Sequence, residues 1–108
     1  MECPPEIRQC LKVVFDLSKA ESQVLYYLCN NDARTTKIAD DLDKDASTIR
    51  RYLKKLQDLD LVQRQEKNGE KPGRYYEYGV ADKTALKQRV KEQLEAWRKQ
   101  RIKDLEQL

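Results

Sequence analysis

The sequence predicts a mainly α-helical fold with a single β-hairpin, and three observations lead to that prediction. Four short stretches between residues 5 and 56 repeat apolar residues at intervals of three and four, the spacing of one helix face. Two strand-like stretches flank the polar turn segment 68–73. Residues 82–108 contain neither glycine nor proline and repeat apolar residues at helical spacing.

The starts of the first two helices are marked by specific residues. Pro5 and Glu6 suit the first turn of a helix that we expect to end near Phe15. Ser18 and Glu21 have the spacing of a capping box, in which each side chain accepts a hydrogen bond from the other residue's free backbone amide. The residues expected to be buried are Ile7, Cys10, Leu11 and Val14 in the first helix, and Ala20, Val24, Leu25 and Leu28 in the second.

Two further helices follow with a very short connection between them. Thr35 is predicted to cap the third helix and Asp45 the fourth, with only Asp43 and Lys44 between Leu42 and that second cap. Their predicted buried residues are Ile38, Ala39 and Leu42, then Ile49, Tyr52, Leu53 and Leu56. Three helices with such a tight turn, followed by strands over 61–67 and 74–80, predict a winged helix-turn-helix.

The last segment predicts a long helix that extends beyond the rest of the fold. At 1.5 Å per residue it is about 40 Å long, whereas a domain of this size is about 26 Å across. A second copy of the chain is the simplest partner for the overhang, so we expect a homodimer with a coiled-coil contact. The predicted dimerisation residues are Leu86, Val90, Leu94, Trp97, Leu105 and Leu108. We divide the chain into an N-terminal helix (1–17), the winged helix-turn-helix (18–80) and the dimerisation helix (81–108).

Composition favours a helix-rich protein that stays out of membranes. Charged residues make up 38% of the chain, and no apolar run approaches the roughly 20 residues that span a bilayer. The first residues lack a basic segment followed by an apolar one, so we expect a cytoplasmic protein.

Cysteine usage and the lack of histidine argue against catalysis and metal binding. Cys3, Cys10 and Cys29 are odd in number, and no histidine is present to complete a metal site. We interpret Cys10 and Cys29 as small buried apolar residues, with a redox or thiolate-metal sensor as the less favoured alternative. With no glycine-rich phosphate loop either, the sequence predicts a protein that is not an enzyme and needs no cofactor.

The fourth helix carries the strongest functional pattern. When Ile49, Tyr52, Leu53 and Leu56 face inward at 100° per residue, basic and hydroxyl side chains face outward. Such side chains can donate hydrogen bonds to base edges in the major groove and to phosphates. The predicted DNA-binding residues of this helix are Ser47, Thr48, Arg50, Arg51, Lys54 and Lys55. An ordinary solvated face is the alternative, but the coincidence with a helix-turn-helix favours DNA.

Supporting contacts are predicted at two other places. Free amides at the start of the third helix, with basic neighbours, make a phosphate site. Its predicted residues, together with one in the tight turn, are Arg34, Thr35, Thr36, Lys37 and Lys44. The predicted wing contacts are Lys67, Lys71 and Arg74, and lysines kept for solubility are the alternative there.

These segments resemble a known class of regulator. Residues 36–42, 47–56 and 59–62 are similar to the helix-turn-helix of winged-helix transcriptional regulators. The segment from Gly73 to Tyr78 resembles the wing of the ArsR-like and TrmB-like groups, which are common among archaea. The resemblance covers roughly residues 18–80 and implies a DNA-binding transcriptional regulator.

The sequence departs from that class at two turns. Asp43 and Asp60 stand where these regulators usually have glycine, and aspartate tolerates left-handed backbone better than most residues. Lys44 occupies a position that is usually apolar. The chain has no paired cysteine motif on its helices and we expect no sugar-sensing domain, so neither a metal site nor a sugar site carries over.

The sequence as a whole therefore predicts a homodimeric regulator that binds double-stranded DNA, with the fourth helix in the major groove and the wing on the backbone or in the minor groove. The alternative is a winged helix used as a protein-interaction module in a larger assembly, which the modest net charge of +3 and acids such as Asp40 and Asp58 would suit. The sequence does not identify a small-molecule effector.

Overall fold

The computed structural model describes residues 2–69 and 73–108 and contains five helices and one hairpin in those ranges. The elements are α1 (Pro5–Phe15), α2 (Lys19–Asn30), α3 (Thr35–Leu42), α4 (Ala46–Asp58), β1 (Gln63–Asn68), β2 (Arg74–Gly79) and α5 (Lys83–Leu105). The predicted class, mainly helical with a hairpin after a tight helix-turn-helix, is confirmed.

One hydrophobic core holds the first four helices together. Val24 of α2, Ile38 of α3, and Ile49 and Leu56 of α4 are completely buried. Leu11 of α1 joins the same cluster. Burial of one such side chain contributes about 1.5–3 kcal/mol, so the core fixes how α3 and α4 are presented. Of the residues predicted to be buried, Ile7 is 41% exposed. Others are only half-buried, namely Val14, Ala20, Leu42 and Tyr52.

The start of α2 agrees with the sequence prediction, whereas the starts of α3 and α4 differ from it in how they are capped. The capping box of α2 is confirmed, because Glu21 N donates to Ser18 Oγ (3.1 Å) and Ser18 N donates to Glu21 Oε1 (2.8 Å). The predicted cap at Thr35 is wrong: α3 begins at Thr35 itself, and Arg34 occupies the cap position without a side-chain hydrogen bond. Asp45 does occupy the cap position of α4, but its side chain makes no capping hydrogen bond.

Three aspartates end helices in left-handed backbone conformations. Asp43 (φ 54°) and Asp60 (φ 62°) do so at the two turns where the sequence predicted it, and Asp16 (φ 56°) does so after α1. At the α3–α4 turn, Lys44 N donates to the carbonyl of Ala39 (2.9 Å), which satisfies the last turn of α3. The short connection therefore contains a regular helix ending, in which a residue other than glycine takes the left-handed conformation at some cost in stability.

Asp43 offers a direct test of this backbone strain. Because alanine lacks the local hydrogen bonding that lets aspartate adopt left-handed geometry, Asp43→Ala should lower the free energy of unfolding by about 1 kcal/mol. Asp43→Gly should be at least as stable as the natural chain. Denaturant titrations at one protein concentration measure both, and an alanine variant as stable as the glycine variant would contradict the argument.

The hairpin is anchored to the helical body at its base. β1 and β2 pair antiparallel from Gln63↔Gly79 to Asn68↔Arg74. Tyr78 also exchanges two backbone hydrogen bonds with Ala33 (2.8 and 3.0 Å), in the segment between α2 and α3. A side chain at Gly79 would overlap the Asp32 carboxylate in its present position, so glycine lets that exposed side chain lie close to the base of the hairpin. The anchor gives the hairpin a fixed orientation that a lone two-stranded sheet lacks.

Helix α5 rests on the body only along its first part. Asp82 caps it by accepting a hydrogen bond from Ala85 N (3.0 Å). Leu86 and Val90 pack against the core of their own chain, whereas Trp97 and Leu105 are 43% and 61% exposed. The molecule measures 63 × 25 × 21 Å, which reflects this overhang. Of the described residues, no helix is long and apolar enough to span a membrane.

Candidate nucleic-acid interface

The outer face of α4 presents a compact group of basic side chains. Ile49, Leu53 and Leu56 are buried on the inner face, as the helical spacing predicted. The side chains turned to solvent are Ser47, Arg50, Arg51 and Lys54, with Thr48 half-buried beside them. None of the three cations forms an ion pair with a carboxylate in the described ranges. Their hydrogen-bond donors are therefore available to a ligand.

Lys55 differs from its neighbours because its ammonium already has partners on its own chain, and its predicted contact with DNA stays a prediction. Its Nζ donates to Glu21 Oε1 (3.0 Å) and to the carbonyl of Asp16 (3.0 Å), so the ammonium ties α4 to the start of α2. Partial burial would raise the pKa of Glu21, but hydrogen bonds from Ser18 and Lys55 outweigh it and hold that pKa below its ordinary value of 4.5. Lys55 is a structural residue that the helical periodicity alone could not separate from Lys54.

This ion pair predicts a pH-dependent effect on stability. Lys55→Met should lower the free energy of unfolding at neutral pH by about 0.5–1 kcal/mol, because one charged partner is lost. The lowered pKa of Glu21 means that the contribution of its carboxylate is fully present above pH 4.5 and is lost as the pH falls through the lowered folded-state value. The difference between variant and natural chain should shrink over that acidic interval.

The control for this prediction is Lys54→Met, one residue earlier on the exposed face, which should leave stability nearly unchanged. Denaturant unfolding of both variants between neutral and acidic pH provides the measurement. A constant difference across the whole pH range would mean that Lys55 acts through its hydrogen bond to the carbonyl of Asp16 instead of through Glu21.

The start of α3 lies against the wing. The guanidinium of Arg34 stacks over the ring of Tyr75 (4.5 Å to the centroid), which joins the predicted phosphate site to β2. Thr36 is exposed and Thr35 half-buried at the first turn of α3. Lys44 is also exposed, in the turn that precedes α4. Helix α3 therefore contacts both α4 and strand β2 of the wing.

Lys37 is less free than the sequence suggested. Its Nζ pairs with Asp41 Oδ1 (3.2 Å) one turn later, and the Tyr27 hydroxyl donates to Asp41 Oδ2 (2.5 Å). The hydrogen bond from Tyr27, followed by that from Lys37, holds the pKa of Asp41 below its usual range. Burial and then Asp41 raise the pKa of Tyr27 to about 12, so the phenol stays protonated. Lys37 therefore has an acid partner with which a phosphate must compete.

The wing carries paired cations and exposed tyrosines. Arg74 is 77% exposed and forms an ion pair with Glu66 (3.2 Å), and Lys67 is half-buried opposite Tyr75. Lys71, a predicted wing contact, lies outside the described residues. Arg64 lies over the ring of Tyr76 at 4.1 Å. This stacked pair was missed, although strand alternation places residues 64 and 66 on one face with residue 76 and was the signal available for it.

The six residues predicted to form the dimer contact lie in two different environments. Leu86 and Val90 pack partly on their own core and keep part of their surface exposed, and Leu108 lies beyond the end of α5. Trp97 and Leu105 are exposed, and Ile102, which was not predicted, is 48% exposed about one turn before Leu105. Arg101 lies near the Trp97 ring (5.8 Å) and pairs with Asp104 of its own helix (2.7 Å). The unpartnered apolar surface is the distal part of α5.

The cysteines lie near α1 and α2 and are not grouped with other metal ligands. Cys3 is buried, whereas Cys10 and Cys29 are half-buried and not fully buried as predicted. Burial raises the pKa of the thiols of Cys3 and Cys29, which keeps both protonated near neutral pH. In the described part of the chain, no three potential metal-ligating side chains come together.

A comparison with known protein families matches the part of the chain that contains the helix-turn-helix and the hairpin. The family described as "Sugar-specific transcriptional regulator TrmB" matches residues 11–83, from α1 to the start of α5. No curated protein sequence matches the chain. Members of this family are transcriptional regulators, which are not enzymes, and that agrees with the sequence prediction.

Several solved structures have the same fold, and one of them is described as a regulator. A "possible transcriptional regulator" from Methanosarcina mazei Go1 superposes with a TM-score of 0.76 at 22% identity, over 94% of this chain and 87% of that one. A protein from the thermoacidophilic archaeon Sulfolobus tokodaii gives 0.74 at 18% identity, over 93% and 95%. A MepR mutant from a multidrug-resistant S. aureus isolate gives 0.60 at 20% identity, over 96% and 73%. At these identities the likeness establishes the winged-helix fold.

Proposed function

Because the chain belongs to the TrmB family of transcriptional regulators, we propose that it acts as a homodimer that binds a specific double-stranded DNA site. In this proposal α4 of each copy lies in the major groove, and the hairpin contacts the adjacent backbone or minor groove. A regulator works in the compartment that holds the DNA, and we predict that this compartment is the cytoplasm.

The observation that carries the proposal is the unpaired basic face of α4. Arg50, Arg51 and Lys54 are exposed and have no ion-pair partner in the described ranges, whereas the basic residues Lys55, Lys37 and Arg74 all bind carboxylates of their own chain. Three neighbouring unpaired cations repel one another, and binding to a polyanion such as DNA relieves that repulsion. Ser47 and Thr48 at the N-terminal end of the same face supply hydroxyl donors for bases or phosphates.

The backbone contacts of the proposal come from the elements around α4. Thr35, Thr36 and Lys44 border α4 on the side of α3, and free amides at the start of α3 suit a phosphate. Arg34, held against Tyr75, and the exposed Arg74 extend this surface to the wing. We leave Lys55 out of the contacts because its ammonium is already bound to Glu21 and Asp16.

The homodimer in the proposal uses the distal part of α5. Trp97, Ile102 and Leu105 leave large apolar areas in water, and burying such area against a second copy gives about 25 cal/mol per Å2. Leu94 lies half-buried at the boundary between this surface and the body. A two-fold dimer would present two copies of α4 to sites about one helical turn apart, roughly 34–36 Å.

The test is selection of bound duplexes from random DNA, followed by titration of the selected site and a scrambled one at several salt concentrations. We expect two inverted half-sites and affinity that falls linearly with salt on a log–log scale. Absence of enrichment, together with salt-independent binding, would favour the protein-interaction module. The acids Asp40, Asp43 and Asp45 near Thr48 are the feature that would suit a basic protein partner instead.

A further inference from the structure

An open groove lies between α1, α2 and the first part of α5, away from the face of α4. Its volume is about 430 Å3, within the range of about 300–1,000 Å3 that is usual for small-molecule sites. The side chains that form its apolar wall are Ile7, Cys10, Leu25, Leu86, Val90 and Leu94. This lining offers few hydrogen-bonding groups, so it suits an apolar molecule better than a sugar.

A row of unpaired lysines borders the groove. Lys83, Lys87 and Lys91 recur every four residues along one face of α5, and Glu6 is the one acid that lines the groove with them in the described ranges. Like charges at this spacing destabilise a helix. No carboxylate of a described residue pairs with any of the three, although α5 pairs its charges elsewhere, as in Arg98 with Glu95 and Arg101 with Asp104.

The charges of the lysines also act on a side chain inside the groove. Burial raises the pKa of the Cys29 thiol in the groove, and the charges of Lys83 and Lys87 oppose that rise. The ammonium groups therefore act across the groove, where an anionic group bound at its edge would meet them at short range and in partly desolvated surroundings.

From this combination we infer that the groove binds a free small molecule with an apolar body and a carboxylate group. The apolar body lies against the wall formed by Leu25 and Val90, and the carboxylate lies at the edge formed by Lys83 and Lys87. The site is separate from the distal part of α5 and does not depend on DNA binding.

Decanoate is a suitable probe, used below the concentration at which it forms micelles and without DNA. We expect saturable chemical-shift changes at the backbone amides of Cys10, Cys29 and Val90, with none at Thr48 of α4. Decanol and decylamine carry the same chain without the negative charge, and both should bind at least about threefold more weakly. Equal binding of all three molecules, or no saturable change, would overturn the inference.

Two charge-matched variants separate the groove from general electrostatics. Lys83→Gln/Lys87→Gln removes two charges at the groove and should weaken decanoate binding by roughly three- to tenfold. Lys99→Gln/Lys103→Gln removes two charges at the same spacing farther along α5, where both side chains are exposed, and should leave binding unchanged. Equal weakening by both variants would contradict a specific carboxylate site.

Dilution of the protein without ligand tests whether a second copy of the chain occupies the groove instead. If the amides of Cys29 and Val90 shift on dilution as the chain becomes monomeric, a partner covers the groove and the inference fails. Unchanged groove amides, with changes confined to the distal part of α5, would support it.

Discussion

Arg51→Ala should lower affinity for the preferred DNA site by about 1–3 kcal/mol, roughly 5- to 150-fold, and relax selection at one base pair of each half-site. Arg51 is exposed at the centre of the outer face of α4, and a guanidinium there can donate two hydrogen bonds to guanine. Binding titrations of the folded variant against selected and scrambled duplexes measure this effect.

Two controls make the result interpretable. Lys54→Ala removes a charge from the same face and should weaken selected and scrambled duplexes alike, because a lysine on phosphate reads no sequence. Lys12→Ala removes an equal charge from an exposed position of α1, which packs against α2 and α5, and should have little effect. If Arg51→Ala left the affinity for every duplex unchanged, α4 would not be the DNA-reading helix, and the protein-interaction module would become the better interpretation.

Trp97→Glu should convert the dimer to a monomer and lower affinity for a two-half-site duplex by roughly a hundredfold or more, because the second half-site would no longer bind within the same complex. Trp97 is the largest side chain of the exposed distal surface of α5, and a carboxylate buried there against a second copy would be strongly unfavourable. The fold should survive, since this part of α5 does not belong to the core.

Sedimentation at micromolar concentration measures the oligomeric state, and titration of one-half-site and two-half-site duplexes measures the effect on DNA binding. Lys99→Gln, on the opposite side of α5 from Trp97, changes net charge by the same amount and should keep the dimer intact. A Trp97→Glu variant that remains dimeric would place the dimer contact elsewhere on the chain.

The features that the sequence predicted correctly are those that depend on neighbouring residues. The capping box of Ser18 and Glu21 spans one helical turn, and the left-handed turns at Asp43 and Asp60 follow from residue type and position. Apolar spacing also identified the inner face of α4, because burial of Ile49, Leu53 and Leu56 leaves one orientation for that helix.

The features that the sequence missed depend on contacts between distant segments. Lys55 and Lys54 look alike in a helical projection, and only the approach of Glu21, 34 residues earlier, assigns Lys55 to an ion pair. The stacking of Arg34 on Tyr75 likewise needs the wing to fold back on the start of α3. Leu86 and Val90 continue the spacing of Leu94, so periodicity could not reveal that the body of the same chain covers part of their surface.

The short connection between the wing and α5 makes the long helix a mechanical lever. Only residues 80–82 separate the end of β2 from the start of α5, and Arg89 ties the helix to the body by donating to the carbonyl of Asp60 (3.3 Å). Over 23 residues, α5 is about 35 Å long, so a rotation of about 5° at its base displaces its far end by about 3 Å. In a two-fold assembly joined at the far ends, small angular changes near Arg89 would therefore be amplified into changes in the distance between the two copies of α4.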